Sequence, residues 1–62
     1  MPSPDPELLS LTASLDGLAR RITALAEADA AKGREDRAVE LFEVERTLGG
    51  ALRRLNRING IR

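Results

Sequence analysis

Sixty-two residues allow one domain and a small core, with 42% of the chain apolar and nine of those apolar residues alanine. No cysteine or histidine is present, so neither a disulfide nor the usual zinc site can staple a chain this short. Ten basic residues balance ten acidic ones, which removes the net field that steers a protein to nucleic acid or an anionic membrane.

The first periodic segment carries Leu8, Leu11, Leu15, Leu18, Ile22 and Leu25 at spacings of three and four, one stripe of a helix. Asp5 is the candidate N-cap, Pro6 suits the first helical position, and Glu7 suits the positive end of the helix dipole. Ser3 followed by Pro4 offers a competing cap. Lys32 and Gly33 read as a C-terminal stop. The pattern predicts a first helix over about 6–31 and a turn over about 32–34.

The second segment repeats the spacing with Leu41, Val44, Leu48, Ala51, Leu55 and Ile58. Glu35 and Asp36 stand near its start, Arg53, Arg54 and Arg57 near its end, and Asn59-Gly60 is a stop signal. Gly49-Gly50 costs up to about 2 kcal/mol of helix propensity against alanine. The stripe nevertheless keeps its phase across the pair, which predicts one continuous helix over about 35–59.

Two long helices joined by so short a turn must run antiparallel, so the expected fold is an all-α helical hairpin forming a single domain over residues 1–62. Its expected seam is Leu8, Leu11, Leu15, Leu18, Ile22 and Leu25 against Leu41, Val44, Leu48, Leu55 and Ile58. A second stripe of mostly small residues flanks each seam. Ala19 and Ala26 on the first helix, with Ala38, Phe42, Gly49 and Leu52 on the second, are expected to form an oligomer or partner interface. Two hairpins closing into a four-helix bundle would cover both stripes, so a homodimer or tetramer is the expected state. Phe42, the one aromatic, is expected to be a core anchor. Asp16 and Glu45 interrupt the second stripes and are read as solvated flank positions.

Little catalytic chemistry is available. Without histidine, cysteine, tyrosine or tryptophan the chain lacks the commonest general base, the thiol nucleophile and most metal ligands. Its glycines lack the context of a phosphate loop. No catalytic residue, cofactor or metal is expected. The chain has no apolar run long enough to span a bilayer, and its first residues lack a signal-like apolar core, so a cytoplasmic protein is expected.

The expected function is therefore that of a non-catalytic interaction or regulatory module that self-associates, with another protein as a further partner; no membrane partner is expected. The competing reading is an accessory nucleic-acid-binding protein. Arg46, Arg53, Arg54 and Arg57 are its candidate contacts with an anionic partner, although no base-stacking aromatics accompany them. Those arginines are also expected to lie beside Asp5 and Glu7 in the hairpin.

Leu25, Gly33, Ala38, Phe42 and Leu48 are similar in spacing to one tetratricopeptide repeat, over residues 22–48. The chain departs from that pattern at Glu45, where the repeat has a small residue, and at 50–54, where no proline closes the unit. No binding residue is carried over from the resemblance.

Overall fold

The computed structural model describes residues 5–60; the alternative cap at Ser3 lies outside them. Two helices pack against each other as a hairpin, α1 over Pro6–Ala31 and α2 over Glu35–Ile58. The long dimension is 49 Å, against 15 and 13 Å.

Local chemistry accounts for both ends of α1 and for the end of α2. The Asp5 carboxylate accepts hydrogen bonds from the Glu7 and Leu8 amides at 3.0 and 3.4 Å, satisfying two of the free donors of the first turn of α1. At the other end Lys32 is the C-cap and Gly33 takes φ +81°. The Gly33 amide donates to Ala30 and the Arg34 amide to Asp29, at 3.2 and 2.8 Å, which is the Schellman arrangement. Only glycine reaches that φ without strain, so Gly33 fixes the reversal. Asn59 caps α2, followed by Gly60 at φ +78°.

Helix α2 runs unbroken through Gly49 and Gly50. A methyl group added at either position would meet only the Arg53 guanidinium, at 3.8 and 3.7 Å, and one added at Gly17 would meet nothing. Replacing Gly17 or Gly50 by alanine is therefore expected to stabilise the fold by about 0.8–1 kcal/mol each. Urea midpoints would register the gain; a loss at either site would mean that the close space is used by something outside the hairpin.

The interhelical seam differs from the one the leucine periodicity predicts. Thr12, Ala19 and Ala26 on α1 are buried and so is Ala38 on α2, with Glu45, Leu52 and Asn59 half-buried along the same line. Leu8, Leu15 and Ile22, and opposite them Leu41, Leu48 and Leu55, are half-buried flanks of this seam. Leu11, Leu18, Leu25, Val44 and Ile58, all expected inside, are exposed. The reason is geometric. Each apolar face is wider than a single neighbouring helix can cover, and the small side lets the two backbones approach closely.

Two polar contacts lock the pairing. Near the turn, Asp29 is 2% exposed and its Oδ2 lies 2.7 Å from Nε of Arg37, an ion-pair contact without hydrogen-bond alignment. At the open end the Asn59 amide donates to Thr12 Oγ1 at 3.1 Å, and that hydroxyl donates to the Leu8 carbonyl at 2.7 Å. Substituting Arg37 by glutamine leaves the Asp29 carboxylate buried without its cation. Because Arg37 itself is half exposed, the expected loss is about 1–3 kcal/mol, toward the lower end for buried charge pairs. Thermal unfolding measures it, and an unchanged midpoint would show the pair to be incidental.

Candidate interaction surface

Around α1 the residues fall into four parallel rows. Thr12, Ala19 and Ala26 face α2; Leu8, Leu15 and Ile22 lie to one side; Leu11, Leu18 and Leu25 lie beyond them. Leu9, Asp16 and Thr23 occupy the opposite flank. Helix α2 has the same arrangement, with Leu41, Leu48 and Leu55 beside the seam and Val44, Ala51 and Ile58 beyond. Its opposite flank holds Phe42, Gly49 and Asn56. Two antiparallel helices of one hand place like flanks on the same side of the pair. A shallow hollow lined by Leu9, Asp16, Leu52 and Asn56 marks the mixed flank accordingly.

The other side of the hairpin is thus one apolar face built from both helices. Its outer rows are strongly exposed, with Leu11 at 58%, Leu18 at 50% and Ile58 at 69%. Leu18, Ile22 and Leu25 line a shallow hollow on it, bordered by Arg21. Ile58 lines a second hollow with Arg54 and Arg57. The face runs about 26 Å along the helices, from Leu8 to Leu25, and about 20 Å across them at ordinary helix rise and diameter.

The residues expected at an oligomer interface are distributed differently. Ala19, Ala26, Ala38 and Leu52 belong to the hairpin's own seam, so they are withdrawn from an outside partner. Phe42, 38% exposed, and Gly49 sit on the mixed flank. Phe42 is therefore no core anchor of the hairpin. Its place in the helix, in series with Gly49 and Asn56, sets it beside the seam and not in it.

Charged residues behave as follows. Asp16 pairs within its own helix with Arg20 at 3.0 Å, and Arg46 lies 3.8 Å from Glu43. Glu45, read from the sequence as a solvated flank, is half-buried in the seam. Arg53 folds back along its helix over the glycine pair. Among the described residues no ion pair joins Arg53, Arg54 or Arg57 to Asp5 or Glu7. The Asp5 carboxylate is engaged in capping instead. The same residues contain no cluster of three side chains able to hold a metal ion, and no helix is long and apolar enough to cross a membrane.

The chain matches no family model, no curated protein and no solved structure. Its functional reading rests on the geometry of the hairpin.

Proposed function

We propose that this chain is a non-catalytic interaction module that self-associates through the leucine face, two hairpins closing into a four-helix bundle. The observation that carries the reading is the outward position of Leu11, Leu18, Leu25, Val44 and Ile58. A hairpin selected to stand alone would bury its leucines, since apolar burial contributes about 25 cal/mol per Å². This one fully buries only three alanines, Thr12 and Asp29, half-buries the leucines beside the seam, and leaves the outer row of larger side chains for another surface.

A second copy is the occupant that suits this face. Covering it on two molecules removes on the order of 1,000 Å² or more from water, the scale at which specific interfaces hold. The continuous leucine rows lie on one side only, while the opposite flank mixes Leu9 and Phe42 with polar Asp16, Thr23 and Asn56, so a two-fold pair closes without leaving an equivalent apolar face open. A bundle of this kind supplies the core that a 62-residue chain without disulfide or metal lacks. A cytoplasmic setting belongs to the same reading, since a chain without cysteine makes no use of an oxidising compartment. The bundle would then serve as a platform for another protein.

The test is mass in solution across concentration, by sedimentation equilibrium or light scattering. A dimer of about twice the 6.7 kDa chain mass is expected, and a stable helical monomer at all concentrations would overturn the proposal. The competing nucleic-acid reading draws on Arg53, Arg54 and Arg57, which have no ion-pair partner among the described residues. It requires binding to DNA or RNA that weakens steeply with added salt, and silence at low salt removes it.

A further inference from the structure

Resting on self-association through the leucine face, we infer that the two copies pack with their turns at opposite ends. The basis is an uneven distribution of charge along a molecule with no net charge. Residues 22–45, the turn end of the hairpin, carry seven acids and three bases, a net of −4. The rest of the described chain, 5–21 and 46–60, carries three acids and six arginines, a net of +3. The hairpin is therefore an electric dipole directed along its 49 Å length.

The outer rows permit two closed arrangements. The contacts of Asn59 with Thr12 and of Arg37 with Asp29 set a register that puts Leu18 and Ala51 at about the same height, midway along the face. A two-fold axis running across the face at that height stacks Leu18 on its counterpart and Ala51 on its counterpart. A two-fold axis along the hairpin stacks Leu18 on Ala51 instead. Apolar fit allows both, and every neighbouring helix pair is antiparallel in both.

Charge separates them. With the axis along the hairpin, the two acidic turn ends lie together and so do the two arginine-rich ends. With the axis across it, each acidic end meets an arginine-rich end, twice per dimer. Glu40 and Glu43 of one copy then lie toward the end that carries Arg54 and Arg57 of the other. Packed helices are separated by about 8–10 Å, comparable to the screening length of about 8 Å at physiological salt. The preference is consequently felt, and it weakens as salt is added.

The absence of cysteine makes single-cysteine labelling unambiguous. Spin labels on two separate variants, Thr47→Cys and Lys32→Cys, both at exposed positions, would be measured by pulsed dipolar spectroscopy. Position 47 lies near mid-height and gives a short distance in either arrangement, so it reports the dimer itself. Position 32 lies at the turn and is expected to give about 40 Å, from twice the 14 residues between it and Leu18 at about 1.5 Å rise each. A short distance at both positions overturns the orientation while leaving the dimer in place. No intermolecular distance at position 47, together with a monomer mass, overturns self-association and the orientation with it.

Discussion

If two hairpins pair through the leucine face, as proposed, Leu18→Arg is expected to shift the dimer to monomer and to make the helix content fall on dilution. Leu18 sits at the middle of the outer row of α1, 50% exposed in the hairpin, with Ile22 and Leu25 lining the same hollow and Arg21 at its edge. In the isolated hairpin an arginine there reaches water freely, so its direct cost to the folded monomer is within about 0.5 kcal/mol, as for surface changes generally. In a closed bundle the same guanidinium is carried into apolar contact without a partner. An unpaired charge in such a place costs at least several kcal/mol, a factor of 10³ or more in dissociation constant. The two-fold counts the substitution twice. Sedimentation equilibrium of the variant measures the loss directly. An unchanged mass, with helicity retained, would mean that the leucine face is free in the native assembly. Ala24→Arg, at an exposed position away from that face and with the same change of charge, is the matched control and is expected to leave the mass unchanged.

Much of the architecture is legible in the residues because it is written in local signals. Asp5, Pro6 and Glu7 announce the start of α1, and Gly33 announces the turn through a backbone conformation that other residues avoid. The rotation of each helix about its axis is not written locally. Leu8, Leu11, Leu15, Leu18, Ile22 and Leu25 form a stripe on α1, but the next row, Thr12, Ala19 and Ala26, is compatible with burial too. Size argues for burying the leucines, and close approach argues for burying the alanines. The second prevails between the helices: Leu8, Leu15 and Ile22 are left half-buried beside the seam, and Leu11, Leu18 and Leu25 are turned outward. The sign of that outcome in the sequence is a polar pair, Thr12 and Asn59, in line with the small residues of each helix. Thr12 and Asn59 meet at 3.1 Å across the open end, and Asp29 and Arg37 meet near the turn. Thr12 and Asn59 belong to the alanine rows of their helices, so their contact requires those rows to face inward. Asp29, by contrast, continues the Leu8–Leu15–Ile22 row and Arg37 the Val44–Ala51–Ile58 row, on the leucine side of the seam. Their spacing is legible only once the antiparallel register is known, because each pair joins residues from different helices.

The alanine row carries the second large effect, expected from Ala26→Leu. Ala26 is fully buried at 0% exposure, and Ala38, at 3%, is the buried alanine of the facing helix near the turn. Three added heavy atoms at that position have no space between two backbones held this close. Either the helices separate, which opens voids beside Ala19 and loosens the Asp29–Arg37 contact, or the new side chain leaves its preferred rotamers. Overpacking of this kind costs about 1–3 kcal/mol in a large protein, and occasionally more. A domain of this size has little stability in reserve, so the same cost is expected to unfold much of the population. Circular dichroism against urea measures it. The contrast with Leu18→Arg is the discriminating feature. At Leu18 the loss is one of association and diminishes as protein concentration rises. At Ala26 the hairpin itself is damaged, so high concentration restores only part of the helix. Ala26→Gly separates packing from volume, since it removes one methyl and costs about 1 kcal/mol of helix propensity without forcing the helices apart. A leucine at 26 tolerated as well as the native alanine would place the interhelical seam elsewhere, with the leucine rows turned inward.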